Sequence, residues 1–334
     1  MSIPLADGVP EPILRVFKGT PPTQQQWEAI SHPLTPSAVV AGAGSGKTAV
    51  MVARVVYLAL VRAGVVEAGH RGAAPSEILC LTFTNKAAEE LGRRVRHATE
   101  ELRLPDGEEP TVHTYHAFAA RMLDEYGLRM GLEPGGMLLT EAHKWQLAVS
   151  LLNDREFEHL EVRTVRHVVE NLLLLADECA NHRVDPLEVA ERSRAFAQEL
   201  ALERAGDRKI QLAALRRAEL AEVAHAYGER KRALGVIDYA DQIELACRLA
   251  EEHPEVGEAF RDRYKVVLLD EYQDTNVAQA QLLSLLCGRG HPVMAVGDPD
   301  QNIYAWRGAS LQNILRFHED FSGGDPAERR PLYL

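Results

Sequence analysis

Short apolar runs alternate along this chain with longer stretches of helical periodicity. Residues 38–40, 78–83, 266–269 and 292–296 are apolar and brief, which predicts buried strands rather than helices. Residues 111–114 read as a further strand. Residues 23–30 and 49–61 read as helices, with Thr23 as N-cap of the first and Arg54 interrupting the second. The polar turn at residues 84–91 opens another helix, and residues 116 to about 126 form one more. Strands alternating with helices predict a parallel α/β sheet. Between about 140 and 234 the pattern changes to long amphipathic helices rich in Glu, Arg and Ala, with few strand signals. That stretch predicts an all-helical insertion. Residues 1–22 carry Pro4, Pro10, Pro12, Pro21 and Pro22 and read as a loose, flexible leader. Residues 62–76 read as a Gly/Ala-rich surface loop. The chain has no internal repeat and no low-complexity tract.

Composition narrows the picture only a little. The 334 residues suggest two domains or one large one, and 46% hydrophobic residues supply real cores. The formal net charge of -12 argues against a surface coated in basic patches, so any nucleic-acid site must be a local groove. The four cysteines, Cys80, Cys179, Cys247 and Cys287, lack metal-ligand spacing and predict reduced thiols. No charged-then-apolar signal opens the chain, and its most apolar helix is too short to span a bilayer. A cytoplasmic protein without a membrane partner is the expectation.

Chemistry enters at Ala41-Gly42-Ala43-Gly44-Ser45-Gly46-Lys47-Thr48. A strand precedes this turn and a helix follows it, the context a phosphate-binding loop needs. Glycines let backbone N–H groups approach phosphate oxygens, and the following helix turns its positive end to the same anion. Ala43, Gly44, Ser45, Gly46, Lys47 and Thr48 are the candidate phosphate ligands. Lys47 reaches the β- and γ-phosphates and the Thr48 hydroxyl coordinates Mg²⁺. The first position of the usual pattern is Ala41 rather than Gly, a small residue that still fits. The loop alone says only that a nucleoside triphosphate binds.

Two further stretches sharpen this. Leu268-Leu269-Asp270-Glu271-Tyr272-Gln273-Asp274 puts two carboxylates at the tip of a buried strand, where burial costs free energy unless they are used. Asp270 is the candidate Mg²⁺ ligand and Glu271 the candidate polariser of the attacking water. In Gly297-Asp298-Pro299-Asp300-Gln301-Asn302-Ile303-Tyr304-Ala305-Trp306-Arg307, Gln301 is the candidate γ-phosphate sensor and Arg307 the candidate neutralising cation. Tyr304 and Trp306 are candidate stacking platforms for bases, although either aromatic alone would read as core.

These three stretches resemble the first motor domain of superfamily 1 DNA helicases of the UvrD/Rep/PcrA type. Further segments match in order. Gln26-Trp27-Glu28-Ala29-Ile30 resembles the adenine-reading glutamine motif, which makes Gln26 the expected adenine ligand. Residues 81–88 and Thr114-Tyr115-His116 resemble segments that touch single-stranded DNA, so Phe83, Thr84, Asn85, Thr114 and His116 join Tyr304 and Trp306 as DNA candidates. Ile237-Asp238-Tyr239-Ala240-Asp241 resembles the return from the helical 1B insertion to the sheet. The resemblance covers residues 22–334, and residues 110–146 are most similar to actinobacterial motors of the RecB-like AdnB helicase–nuclease type.

The resemblance implies a P-loop NTPase (RecA-like) fold. Residues 23–116 and 238–334 would form the ATPase domain 1A and residues 117–237 the helical domain 1B. It implies ATP and Mg²⁺ as cofactors. It implies single-stranded DNA and single-strand/duplex junctions as substrates, 3′-to-5′ movement, and a role in repair or recombination. A second motor or nuclease subunit is a conceivable partner. Ala49 stands where the family often has Arg, and Pro299 where it usually has an acidic residue; neither is assigned to catalysis. The chain stops at Leu334, short of the family's second motor domain and its arginines. A fragment with feeble turnover and no unwinding of its own is therefore expected. The alternatives are a nucleotide-gated DNA-binding module that does not unwind, or a small-molecule kinase or nucleotide switch on the same fold.

Overall fold

The computed structural model describes residues 8–100, 102, 109–133, 135–161, 164–202, 207–288, 290–301, 311–322 and 331–334. The chain divides into two compact units: Met1–Arg121 with Cys247–Leu334, and Met122–Ala246. Both boundaries fall inside helices, at Met122 and Ala246, where the insertion was expected to span 117–237.

The first unit opens with α1 (Glu11–Val16) and α2 (Gln24–Ile30). Then come β1 (Ser37–Val40), α3 (Lys47–Arg62), β2 (Ile78–Thr82), α4 (Asn85–Glu100), β3 (Thr111–Thr114) and α5 (Tyr115–Tyr126), the last running into the second unit. The second unit continues through β4 (Met137–Leu138), α6 (Glu141–Asn153), α7 (Val165–His182), α8 (Pro186–Leu202), α9 (Arg208–Leu234) and β5 (Val236–Ile237). The chain returns along α10 (Tyr239–Glu252) to α11 (Pro254–Arg263), β6 (Val266–Leu269), α12 (Val277–Cys287), β7 (Val293–Gly297), α13 (Leu311–Leu315), α14 (Phe317–Phe321) and β8 (Leu332–Tyr333).

Six strands form one sheet in the order β3-β2-β6-β7-β1-β8, and every pairing is parallel. The continuous apolar runs in β2, β6 and β7 are buried along their whole length, as strands covered on both faces must be. Helix α3 is buried from Val50 to Val61, which explains its nearly uninterrupted apolar sequence. The fold is thus a P-loop NTPase sheet with an inserted, largely helical unit.

Two features differ from the sequence reading. The leader is not loose throughout: α1 carries a proline in its first turn and buries Ile13 completely in the core against α3. The inserted unit also contains a short parallel pair, β4 with β5, too brief to leave an apolar signature. Its core joins α6, α7 and α9 through Leu152, Val169, Leu172 and Val223. Helices α8 and α9 pack together on Ala190, Ala218 and Ala221, small side chains that allow close approach. The four cysteines are buried and form no disulfides. Among the described residues, no helix is long and apolar enough to cross a membrane.

Candidate nucleotide site

Parallel register brings the ends of five strands to one edge of the sheet. Val40 pairs with Gly297, Leu269 with Ala295, Leu81 with Leu269, and Thr82 with Thr114. The segments that follow β1, β6 and β7 therefore emerge together, with β7 between the other two. Crevices at the carboxyl ends of parallel strands are where α/β sheets place ligands.

The glycine turn after β1 is locked from both sides. Ala41 N donates to Gly297 O at 2.9 Å, and Val50 N to Gly46 O at 3.0 Å. Gly44 and Gly46 adopt left-handed φ values of 76° and 90°, a conformation only glycine adopts without strain. A Cβ on Gly46 would also press on Gln26 Nε2 at 3.1 Å. Gln26 Nε2 donates to Ser45 O at 2.8 Å, so α2 braces the turn directly. The Gln26 carbonyl oxygen accepts from Thr23 N at 2.9 Å and completes a capping box with Thr23. The amide keeps one N–H and one lone pair for another partner. The expected adenine ligand is thus also part of the loop's scaffold. Ser45 Oγ is buried without a hydrogen-bond partner, an orphan donor inside the turn.

Arg54, from the next turns of α3, fixes α2 in place. It is 2% exposed, and its guanidinium donates to Ile30 O at 2.8 Å and Pro33 O at 3.2 Å. These carbonyls lie at and beyond the end of α2, the negative end of its dipole. Burial lowers the Arg54 pKa to about 10. The sequence reading saw this residue only as a break in an apolar run.

At the tip of β6, Asp270 is 6% exposed, and its Oδ1 accepts from Glu271 N at 3.1 Å. Burial, then the neighbouring Glu271, raises the Asp270 pKa to about 6. Glu271 adopts a left-handed φ of 47°, uncommon for a residue with a Cβ. Glu271 Oε2 lies 3.3 Å from Lys47 Nζ. Asp274 is raised to about 6 by burial and then by Glu271, and its Oδ1 is buried without a hydrogen-bond partner. A buried carboxylate beside a second one is a hard-oxygen site that a small divalent cation would neutralise. The chemistry of these oxygen donors fits a small divalent cation such as Mg²⁺, which Asp270 would hold together with the Thr48 hydroxyl.

Gln273, which the sequence reading left without a role, joins this strand to β7. Its Nε2 donates to Glu271 Oε2 at 2.8 Å, and its Oε1 accepts from Asp298 N at 2.9 Å. Asp298 Oδ2 in turn accepts from Gln301 Nε2 at 2.5 Å. Lys47, Glu271, Gln273, Asp298 and Gln301 thus form one polar chain across three strand ends. Gln273 stood in the quoted motif, three residues after Asp270, and that spacing was the available signal.

The DNA candidates divide into two groups. Phe83, Thr84 and Asn85 leave β2 beside Thr114 and His116, which leave β3, because Thr82 and Thr114 are in register. Thr84 Oγ1 accepts from Ala87 N, and Thr114 Oγ1 from Ala117 N, so both hydroxyls cap helices. Thr84 and Asn85 are exposed, Phe83 and His116 are half-buried, and burial lowers the His116 pKa. Tyr304, Trp306 and Arg307 lie outside the described residues.

The chain is similar to known proteins over most of its length. The family model for the UvrD/REP helicase N-terminal domain matches residues 22–322. The chain is 30% identical over 302 residues to the ATP-dependent DNA helicase PcrA of Staphylococcus epidermidis, covering 89% of this chain and 36% of that protein. It is 30% identical over 297 residues to PcrA of Leuconostoc citreum, covering 89% and 35%. With PcrA of Staphylococcus aureus the identity is 29% over 302 residues, covering 89% and 36%. The chain thus spans little more than a third of the length of these relatives. It belongs to the family of the UvrD/REP helicase N-terminal domain.

Proposed function

We propose that this chain binds ATP·Mg²⁺ and single-stranded DNA as the N-terminal motor part of an ATP-dependent DNA helicase moving 3′ to 5′, with a role in repair or recombination. The observation that carries the reading is the meeting of Lys47 and Glu271, 3.3 Å apart, from separate strand ends. A mobile cation and a carboxylate brought together beside a glycine turn suit nucleoside triphosphate hydrolysis better than any structural purpose. The relatives named as ATP-dependent DNA helicases support the choice of ATP and DNA.

In this reading, Ala43 to Thr48 hold the phosphates and Gln26 reads adenine while bracing the turn. The bound cation, held by Asp270 and Thr48, would offset charge on the β- and γ-phosphates. Glu271 orients water and accepts its proton as the water oxygen bonds to the γ-phosphorus. The bond to the bridging oxygen breaks, leaving ADP and phosphate. Gln301 senses the γ-phosphate, and Arg307 offsets its charge.

The DNA track would cross Phe83, Thr84, Asn85, Thr114, His116, Tyr304 and Trp306. Base stacking on aromatics contributes roughly 1–3 kcal/mol per base. The two compact units correspond, in this reading, to domains 1A and 1B.

The test is ATP-dependent strand displacement by the full-length protein on a duplex with a 3′ single-stranded tail. Displacement that requires hydrolysis and the 3′ tail supports the reading. Nucleotide-controlled DNA binding without displacement would replace it with a gated binding module.

A further inference from the structure

We infer that Gln273 is the positioning residue for hydrolysis, holding Glu271 in its working orientation and fastening it to the end of β7. The inference rests on the hydrolytic reading of Glu271 and deepens it.

Three separate observations meet at this side chain. First, Gln273 is 1% exposed, and both ends of its amide are used between two strand ends. An asparagine would be one methylene too short for that span, and a hydrophobic residue would leave Asp298 N buried without its acceptor. Second, Gly297 exists to let this amide pass. A Cβ there would fall 2.5 Å from Gln273 Oε1 and 3.0 Å from Ile314 Cδ1, although the Gly297 backbone is not left-handed. Space, not conformation, requires glycine at that point. Third, Glu271 sits at a left-handed φ of 47°, which surrounding contacts must hold.

Glu271 Oε2 meets Lys47 Nζ at 3.3 Å and Gln273 Nε2 at 2.8 Å. A phosphate in the glycine turn competes for Lys47, because the lysine has one ammonium and the phosphate carries more charge. Glu271 then loses one contact at the moment it must face water. Gln273 is neutral, buried and indifferent to the phosphate, so it retains the carboxylate. Its other end holds Asp298 N, and Asp298 Oδ2 accepts from Gln301. A shift of Gln301 on meeting the γ-phosphate would therefore reach Glu271 through a single amide.

The test compares Gln273→Glu with wild type and with Glu271→Gln in the full-length protein. The readouts are melting temperature, affinity for a non-hydrolysable ATP analogue, and DNA-stimulated hydrolysis. Gln273→Glu keeps the acceptor for Asp298 N but sets a second carboxylate against Glu271. The expected result is a folded protein with analogue affinity within about threefold and kcat lower by roughly tenfold or more. If Gln273→Glu melts early, Gln273→Asn, uncharged, polar and one methylene too short to span Glu271 and Asp298 together, carries the same comparison. Wild-type kcat in a folded variant overturns the inference, and so does a loss confined to affinity. If Glu271→Gln itself hydrolyses ATP normally, the hydrolytic reading fails first, so the two failures are told apart.

Discussion

Lys47 Nζ stands 3.3 Å from Glu271 Oε2, joining the first turn of α3 to the end of β6. Without a phosphate, each group is the other's counter-charge. The pair is partly solvated, so it adds little to stability. Its consequence is for binding. Lys47→Ala removes the cation of the turn and leaves phosphate charge opposite Glu271 and Asp270. Affinity for ATP·Mg²⁺ should fall about a hundredfold or more, roughly 2.7 kcal/mol. Glu271→Gln should bind ATP at least as tightly as wild type and hydrolyse it at a small fraction of the rate. Titration with a fluorescent nucleotide checks both. Equal affinity in Lys47→Ala would remove Lys47 from the site.

Arg54 gives a prediction about stability rather than chemistry. Its buried guanidinium satisfies the Ile30 carbonyl inside the core and also reaches the Pro33 carbonyl. Arg54→Ala should cost about 2–4 kcal/mol by leaving the Ile30 carbonyl unpaired and opening a cavity. Because α2 carries Gln26, nucleotide affinity should weaken as well. Denaturant unfolding and nucleotide titration on the same sample read both effects.

The inserted unit holds a buried charge cluster of a different kind. Lys231 Nζ lies 2.7 Å from Asp238 Oδ2 and 2.7 Å from Asp241 Oδ2, and 4.7 Å from the centre of the Tyr227 ring. Asp238 N and Asp241 N each donate to the other residue's carboxylate. Replacing the whole cluster by neutral groups need not cost stability, but breaking it strands buried charge. Lys231→Met should therefore destabilise the protein by about 3–5 kcal/mol. Adding Asp238→Asn and Asp241→Asn should recover much of that loss. A triple variant no more stable than Lys231→Met would contradict the argument.

The strands and the glycine turn were legible because their signals are local: apolar runs of strand length, glycines, and lysine at the start of a helix. The bridging role of Gln273 was not, because it depends on β7 lying between β1 and β6, and sheet order is not written in any one segment. Arg54 was misread for a similar reason. Its partners are backbone carbonyls at and beyond the end of α2, which carry no sequence signature. Helix α1 was hidden by flanking prolines, although Pro at the start of a helix is compatible with it. The β4–β5 pair is two residues per strand, below the length at which periodicity speaks.

His291, just before β7, supplies a pH prediction. Burial, reinforced by Arg261, lowers its pKa from 6.5 to about 4. The unfolded chain therefore binds this proton more readily than the folded one. Its contribution to stability is complete above pH 6.5 and is lost as pH falls towards 4, by at most about 3 kcal/mol. His291→Phe should flatten that part of the pH dependence. Urea midpoints measured at pH 7 and pH 5 for both proteins test it, and an identical pH slope in the variant would contradict it.

In the proposed function, ATP hydrolysis and single-stranded DNA meet at one edge of this sheet. The most direct measurement is the steady-state ATPase rate of the full-length protein with and without saturating single-stranded DNA. A rise of about tenfold or more on adding DNA, absent in Glu271→Gln, is the expected result. A rate that single-stranded DNA leaves unchanged, in a protein that binds ATP normally, would contradict it.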